Sequence, residues 1–374
     1  MLESTFKLSE HGTTVRTEVL AGITTFLTMA YIMFVNPAIL SATGMDQGAV
    51  FVATCLAAAI GSLIMGLYAN YPIALAPGMG LNAYFTYGVV LGMGHSWQVA
   101  LGAVFLSGVL FIILSLLPVR EWVVNSIPIA LKIAISAGIG LFLAIIGMKS
   151  AGLVVDHPAT LVTLGDVTAP GVLLACAGFI AMVVLDHLKV PGAIILSILG
   201  VTLVGVDHRA GLLDEQGRLP RLKKALMADS VATVVGSGLG TSTTTSYIES
   251  AAGIRAGGRT GLTACVVAGL FLLGLFFSPL AGTIPAYATA PALVYVACLM
   301  ARGLAELDWE DHTESAPGVI AAITMPLTFS IAHGIAFGFI SYVAIKVLSN
   351  QAGKVSVAVY VIAAAFVLKF ALIG

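Results

Sequence analysis

The stretch Gly240-Thr-Ser-Thr-Thr-Thr-Ser-Tyr-Ile-Glu-Ser-Ala-Ala-Gly253 lies among long apolar runs, yet it has a hydroxyl at almost every step and one carboxylate, Glu249. Segments at membrane depth are normally apolar, because each unpaired polar group costs several kcal/mol in hydrocarbon. A polar run with an ionisable residue in such a setting therefore predicts a functional site. We take this stretch as the predicted substrate site and work outward from it.

The composition is that of a polytopic membrane protein. Of the 374 residues, 59% are hydrophobic and only 9% are charged, and the mean hydropathy is +1.04. A soluble domain has about 25% charged residues. The 41 glycines, many of them inside apolar runs, suit close packing of helices in lipid.

The motifs that are missing from the sequence exclude several classes of function. The four cysteines each lie in an apolar run, with neither metal-binding spacing nor a disulfide pattern. There is no HExxH, GxSxG or phosphate-binding loop, so we expect no cofactor, no enzyme and no ATP-driven pump. No basic patch suggests nucleic acid. Secondary transport is the class that remains.

A helix of about 20 apolar residues crosses the hydrocarbon core. The predicted spans are 19–41, 50–69, 73–92, 97–117, 129–149, 168–186, 190–206, 225–240, 242–254, 260–281, 284–304, 315–331, 334–349 and 355–373. Several of these are short or polar, and 315–349 fits either one broken span or two. We expect about thirteen spans and no soluble domain.

The distribution of Lys and Arg predicts the orientation, because cytoplasmic loops carry the excess of positive charge. Lys7 and Arg16 place the amino terminus in the cytoplasm, and Lys189 follows six spans on the same side. The loop 207–224 is the most basic stretch, yet only the run 190–206 separates it from Lys189. Either 190–206 is re-entrant, or one span is absent, or the basic loop lies outside.

A second polar interruption occurs in the first half of the chain, in Leu75-Ala-Pro-Gly-Met-Gly-Leu-Asn-Ala-Tyr-Phe85. Its proline and glycines would break a helix and free backbone groups, which at membrane depth is tolerated only inside protein or beside a cavity. Corresponding broken segments in two halves predict an inverted-repeat transporter with a site near the midplane. The alternative is a pair of packing kinks with small residues at a helix interface.

Three polar side chains are candidates for function. Glu249 could couple proton flow to a substrate, because burial favours the neutral carboxyl, and it could accept N–H bonds from a planar ligand; alternatively it pairs with Arg255 or Arg259. Asn82 offers donors and an acceptor to a heterocycle edge, or else packs helices together. His333, alone in an apolar region, is interpreted as a packing residue rather than a proton relay.

Four motifs together resemble those of the AzgA-like purine permeases, which are adenine, guanine and hypoxanthine transporters of the nucleobase–ascorbate transporter superfamily. The resemblance runs from about residue 5 to residue 373. The motifs are Thr24-Thr-Phe-Leu-Thr-Met-Ala-Tyr-Ile-Met-Phe-Val-Asn-Pro37, Ala76-Pro-Gly-Met-Gly-Leu-Asn-Ala-Tyr-Phe85, Thr241-Ser-Thr-Thr-Thr-Ser-Tyr-Ile-Glu-Ser-Ala-Ala-Gly253 and Gly257-Gly-Arg-Thr-Gly-Leu-Thr263.

The resemblance implies an all-α polytopic membrane protein of two inverted seven-span repeats, with core and gate domains and short strands in the broken third and tenth spans. The first repeat would be 1–206, with core spans 19–117 and gate spans 129–206. The second would be 207–374, with core spans 225–281 and gate spans 284–373. It further implies proton symport of purine nucleobases, an elevator-like movement and a homodimer. The polar segment before the first apolar run has no signal-peptide cleavage site, so we expect the first span to act as the insertion signal and place the protein in a bacterial inner (plasma) membrane.

The resemblance also implies the substrate-binding residues. Gly80 to Asn82 and Thr245 to Glu249 would be the binding strands, and Glu249 would hold the purine and couple the proton. The implied substrate-binding residues are Glu249, Asn82, Gly80, Leu81, Thr245, Ser246 and Ile248.

Two departures from the family pattern matter. Ile198-Leu-Gly-Val-Thr202 runs directly into Leu203, so the acidic motif of the eighth span is missing near 202–203, where the charge parity also fails. We expect that residues of a longer protein are omitted here; if the chain is contiguous, we expect a transport-dead binding protein or a channel. His333 stands where the family usually has an acidic residue. Another nucleobase remains the alternative substrate, and the acidic Glu249 disfavours an anion.

Overall fold

The computed structural model of the chain describes residues 2–116, 125–158, 160–188, 190, 193–194, 196–198, 222–247, 249–278 and 286–373. Three predictions fall wholly or largely outside the described residues: the end of the 190–206 span, the basic loop up to residue 221, and the junction near 202–203. The predicted site residue Ile248 also lies outside them.

The chain divides into two compact units, the first of Met1–Leu116 with Met148–Ala292 and the second of Leu117–Gly147 with Leu293–Gly374. The α-helices of the described residues are α1 Leu2–Phe6, α2 Val15–Met29, α3 Ile32–Ser41, α4 Gln47–Ile64, α5 Met79–Ala83, α6 Trp97–Leu116, α7 Ile129–Ser150, α8 Pro170–His187, α9 Leu222–Leu239, α10 Ser250–Arg255, α11 Gly261–Gly274, α12 Ala286–Ala301, α13 His312–Leu327, α14 Ile331–Leu348 and α15 Val357–Ile373. Short π- or 3₁₀-helical segments follow several of them, at Met65–Ala69, Tyr84–Gly92, Leu275–Phe277, Arg302–Glu306 and Ala352–Lys354. The strands are β1 Leu75–Pro77, β2 Val154–His157, β3 Leu161–Leu164 and β4 Thr244–Ser246.

Within the described ranges, six helical segments are long and apolar enough to cross a membrane. They are Val15–Ser41, Gln47–Ala69, Trp97–Leu116, Ile129–Ser150, Tyr287–Glu306 and Ile331–Leu348, and Pro170–Leu185, Gly261–Phe277 and Val357–Leu372 are shorter apolar helices. Large aliphatic side chains on α6 point outward, as lipid contact would require. The prediction of a helical polytopic membrane protein is confirmed.

Polar side chains set where several of these helices begin. The side chains of Thr14, Asp46, Thr260, Asp311 and Ser330 each accept a backbone N–H of the first turn of α2, α4, α11, α13 and α14 respectively. These are the residue types that satisfy the free donors at a helix start. The sequence thus marks helix boundaries even between apolar runs.

Each of the two broken segments contains a short strand, and the strands pair with each other. β1 and β4 are antiparallel, with Leu75 opposite Ser246 and Pro77 opposite Thr244. Gly78 donates its N–H to the Thr243 carbonyl at 2.8 Å, which extends the pairing by one residue. The prediction that short strands from the two halves meet is confirmed.

The position of the first strand is a correction. Gly80 to Asn82, predicted as a binding strand, lie in helix α5, and the strand is Leu75–Pro77. The pairing stops after Gly78 because the Gly78 carbonyl accepts the backbone N–H of Asn82, which starts a helical turn. In the second half, β4 ends at Ser246, so Glu249 lies in the turn before α10 rather than in a strand.

Hydroxyl groups of neighbouring helices satisfy the backbone that the interruptions free. The Ser62 hydroxyl accepts the Leu75 N–H at 2.9 Å and donates to the Leu75 carbonyl at 3.1 Å. The Thr233 hydroxyl donates to the Thr244 carbonyl at 2.8 Å. The strands can therefore be buried without the cost of unpaired backbone groups.

The run Gly257 to Thr263 contains the loop before α11 and the first residues of that helix, and a buried carboxylate holds it. Glu18 of α2 accepts the N–H of Arg259 at 2.8 Å and of Thr260 at 3.2 Å, and the Thr263 hydroxyl at 2.6 Å. Negative charge at a helix N-terminus is favourable. Glu18, which the sequence places in a polar leading segment, thus ties α2 to α11.

The start of α11 also passes very close to Gly66, in the helical turn Met65–Ala69 that follows α4. A Cβ on Gly261 would lie 2.6 Å from the carbonyl carbon and 2.7 Å from the Cα of Gly66. Because both obstacles are backbone atoms, a rotamer change cannot relieve them. Glycine at 261 is required by this close approach.

We therefore expect Gly261→Ala to destabilise the protein by about 1–3 kcal/mol, the range for overpacking a filled interior. Gly269→Ala is the matched control on the same helix, because a Cβ there would meet nothing within 4 Å. The thermal unfolding midpoint of both variants in one detergent checks this. Equal midpoints for the two variants would contradict the close approach.

One feature of the first unit was not predicted. The segment between the predicted spans 129–149 and 168–186 contains the hairpin of β2 and β3, with Val154 opposite Leu164 and His157 opposite Leu161. Two short runs rich in valine and leucine flank a turn that contains Pro158. This pattern indicates a hairpin, and it was available in the sequence.

In the second unit, 315–349 lies in two helices, α13 and α14, of which α14 is long and apolar enough to cross a membrane by itself, and whether they make one broken span or two stays a prediction. The chain leaves α13 through Phe329, whose φ of 48° is left-handed, and Ser330 then caps α14. Gly334 and Gly338 let α14 approach Ala321 of α13 closely. His333 donates its N–H to the Ser330 hydroxyl, and its ring lies 5.8 Å from that of Phe370, in keeping with a packing role.

Candidate functional site

Glu249 is buried, with 4% of its surface exposed, in the turn between β4 and α10. Its Oε1 atom accepts a hydrogen bond of 2.6 Å from the Tyr31 hydroxyl. Its backbone oxygen lies 3.3 Å from the Thr28 hydroxyl. The carboxyl group and the backbone of Glu249 are therefore both held by the first membrane-spanning segment.

A break in that segment positions the tyrosine. α2 ends at Met29 and α3 begins at Ile32, so Tyr31 lies at the junction, and its side chain has no exposed surface. Residues three apart lie on one face of a helix, so Thr28 and Tyr31 reach the same neighbour. A buried hydroxyl needs a partner, and here that partner is the carboxylate.

Asn82 lies at the centre of a second buried network. Its Nδ2 donates to Oδ1 of Asn36, and its Oδ1 accepts from the Ser242 hydroxyl. Asn36 in turn donates to the hydroxyls of Thr54 at 2.7 Å and Thr241 at 2.9 Å. Asn82 has no exposed surface. Through these hydrogen bonds its amide links α5 to α3 and to the residues before β4. Its binding of a ligand stays a prediction.

The other predicted site residues lie around the strand pair. Thr245 is opposite Ala76, and the Ser246 N–H donates to Asp229 Oδ1 at 3.1 Å. Gly80 is buried in α5, whereas Leu81 beside it is 37% exposed. The structure thus brings both broken segments together through β1 and β4.

A tyrosine and a serine near Glu249 lock the two segments further. The Tyr247 hydroxyl donates to the Pro77 carbonyl at 2.7 Å, and the Tyr247 N–H donates to the Ala74 carbonyl at 3.0 Å. The Ser250 hydroxyl accepts the Ala74 N–H at 2.9 Å. Tyr247 and Ser250, on either side of Glu249, both bond to the first broken segment. The position of Glu249 therefore depends on the contact between the two broken segments.

Arg259, one of the two arginines considered as a partner of Glu249, has another role. Its Nη1 donates to the carbonyls of Ile254 at 2.6 Å and Gly258 at 2.9 Å. The guanidinium therefore closes the loop between α10 and α11 instead of neutralising the site carboxylate.

Local sequence patterns alone do not predict a role for Tyr31, Asn36 or Glu18. A signal existed for the first: Thr24, Thr28 and Tyr31 follow the helical spacing of four and three in an apolar run, which indicates a polar stripe. Asn36 stands next to Pro37 in the same motif. Glu18 gave no such signal, because it adjoins other charged residues in sequence.

Comparison with known proteins gives the family. The model of the Permease family (Xan_ur_permease) matches residues 16–207 and 202–337. Adenine permease AdeP of Escherichia coli (strain K12) is 46% identical over 429 aligned positions, which cover 100% of this chain and 96% of the relative. Guanine/hypoxanthine permease PbuG of Bacillus subtilis (strain 168) is 41% identical over 437 positions, with 99% of each chain covered.

Among solved structures, the transmembrane domain of the cyanobacterial bicarbonate transporter BicA has a similar fold, with a TM-score of 0.61 at 17% identity. The match covers 85% of this chain and 97% of that one. Members of the matched family are permeases and not enzymes. The chain therefore belongs to this permease family, within the nucleobase–ascorbate transporters that its motifs predict.

Proposed function

We propose that the protein is a secondary active transporter that imports purine nucleobases, namely guanine, hypoxanthine and adenine, by proton symport. The observation that carries the proposal is the buried Glu249, held by Tyr31 beside the paired strands of the two broken segments. The printed names of the relatives, adenine permease and guanine/hypoxanthine permease, support the substrate class.

The chemistry of the carboxylate fits a purine. Ring and exocyclic N–H groups of a purine are donors, and an ionised carboxylate is a strong acceptor that offers about four lone-pair positions. Tyr31 uses one of them, on Oε1. A carboxyl group can also take up and release a proton, so Glu249 is our candidate for proton coupling. Because Glu249 is 4% exposed, a ligand reaches it only when the surrounding side chains open.

We propose the architecture that the family resemblance implies. Residues 1–206 would form the first inverted repeat and 207–374 the second, with core spans 19–117 and 225–281 and gate spans 129–206 and 284–373. The core would move like an elevator against a homodimeric gate in the bacterial inner membrane, with about thirteen spans in this chain. Paired strands from the two halves support the repeat arrangement.

The proposal includes a segment missing near 202–203. The alignment with AdeP has 429 positions, more than the 374 residues of this chain, so the relative has residues without a counterpart here. The family model matches in two pieces that overlap at residues 202–207, so its match is not continuous there. The first finding supports an omission of residues somewhere in the chain, and the second supports its place near 202–203.

Uptake into proteoliposomes tests the function. The purified full chain, reconstituted with an acidic exterior, should take up radiolabelled hypoxanthine, guanine or adenine saturably, and a protonophore should abolish the concentrative part. Protein-free vesicles give the leak. Uptake no faster than this leak for all three purines would refute a purine permease.

The missing span is the reason to keep a transport-dead binding protein or a channel as the alternative function. Another nucleobase is the alternative substrate. Saturable binding without uptake would favour a dead transporter, whereas passage that ignores the gradient would favour a channel. The intact mass of the purified protein tests whether residues are omitted near 202–203. A value near 38.4 kDa would show that the chain is contiguous there.

A further inference from the structure

The short helix α3 with its preceding junction contacts both broken segments. Tyr31, at the junction, donates to Glu249 in the second half of the chain at 2.6 Å. Asn36, five residues later, accepts from Asn82 in the first half and donates to Thr241 in the second. The first spanning segment therefore holds polar side chains of both broken segments, Asn82 in the first and Thr241 and Glu249 in the second.

We propose that Tyr31 is a positioning residue for the substrate site: it fixes the Glu249 carboxyl in one orientation, so that the remaining acceptor positions point at the ligand. This inference rests on the proposed function and adds a residue that governs affinity through Glu249. Tyr31 belongs to the first spanning segment, whereas Glu249 lies more than 200 residues away in sequence.

The geometry of the pair carries the inference. A separation of 2.6 Å is a short O–H···O hydrogen bond, whether the Glu249 carboxyl is neutral or ionised. Both side chains are buried, so neither has water as a substitute partner. A glutamate side chain has three rotatable torsions, and a ligand that binds a freely rotating carboxylate loses part of its affinity in ordering it. Tyr31 removes that loss in advance.

The junction itself is also held. The Thr28 hydroxyl lies 3.3 Å from the backbone oxygen of Glu249, and Asn36 is fixed by Thr54 at 2.7 Å. Tyr31 is therefore fixed on both sides along its own segment, which gives its hydroxyl a defined position from which to hold the carboxyl.

The test is Tyr31→Phe in the full chain, with Tyr342→Phe as the matched control. Tyr342 also donates to a carboxylate, Glu314 Oε1 at 3.1 Å, in the second unit. We expect Tyr31→Phe to raise the KM for purine uptake up to about tenfold, the upper end of the cost of ordering one long side chain on binding, with the maximal rate per folded protein nearly kept. Tyr342→Phe should leave the KM unchanged.

A spectroscopic readout follows the same pair without substrate. The infrared band of Glu249, identified as the band lost in Glu249→Gln, should shift in Tyr31→Phe and stay in place in Tyr342→Phe. An unchanged KM in Tyr31→Phe, or equal losses in both tyrosine variants, would overturn the proposal. If the wild type transports no purine, the proposed function fails by itself; a shifted band then still assigns Tyr31 to the carboxyl, and an unmoved band rejects it.

Discussion

Glu249→Gln is expected to lower purine uptake at least about 100-fold while the protein keeps its fold. Glutamine has the same shape and retains an oxygen that can accept the Tyr31 hydroxyl, so the buried pair stays satisfied. What is lost is the negative charge that strengthens hydrogen bonds to ligand N–H groups and the group that exchanges a proton. A factor of 100 corresponds to about 2.7 kcal/mol, within the range for a hydrogen bond to a charged group.

Initial uptake rates at equal amounts of reconstituted protein measure this effect. Glu310→Gln is the matched control, because it makes the same chemical change at an exposed position. Any uptake that remains in Glu249→Gln should no longer respond to the imposed pH gradient. Gradient-driven uptake within twofold of the wild type would remove Glu249 from both proposed roles.

The sequence predicts that two broken segments exist and meet, but it does not predict which of their residues form the paired strands. Pro77 and the surrounding glycines announce a break in the first half, and the hydroxyl-rich run announces one in the second. Which residues become the strand depends on partners: Leu75 is fixed by Ser62 of α4, and Gly78 by the Thr243 carbonyl. Such long-range contacts are not encoded in local spacing, so Gly80 to Asn82 were wrongly placed in the strand.

In the candidate site, too, local sequence identifies some residues, whereas the role of others depends on partners distant in sequence. Glu249 was identified because a carboxylate in an apolar region is unusual whatever it contacts. The role of Asn82 could not be separated from packing by its chemistry alone, and the structure places its amide between Asn36 and Ser242. Tyr31 was overlooked because a tyrosine in an apolar run is unremarkable until its partner, distant in sequence, is known.

A buried lysine in the second unit leads to the largest expected effect on stability. Lys346, in the last turn of α14, is 1% exposed, and its Nζ lies 2.7 Å from Glu314 Oε1 and 2.6 Å from the Thr313 hydroxyl. Asp311 Oδ2 is farther away, at 3.8 Å. The Glu314 charge in the first turn of α13 and the Lys346 charge in the last turn of α14 also complement the helix dipoles.

Glu314→Gln should lower the free energy of unfolding by about 3 kcal/mol, because it leaves an ammonium group buried without its close counter-charge. Asp311 keeps this loss from being larger. The pKa of the Asp311 carboxyl lies below its usual value, first because the hydroxyl and N–H of Thr313 donate to it, so Asp311 stays ionised at neutral pH. At 3.8 Å it compensates Lys346 only in part.

Comparing Lys346→Met with Glu314→Gln shows whether the unpaired buried charge causes the loss of stability. It removes the buried charge and leaves the acids, whose side chains are 26% exposed for Glu314 and 37% exposed for Asp311, so water can solvate what remains. We expect a loss of about 1 kcal/mol, closer to that of a surface pair. Unfolding midpoints of both variants in one detergent measure the difference. If Lys346→Met were as destabilising as Glu314→Gln, packing of the long side chain rather than the unpaired charge would be the cause.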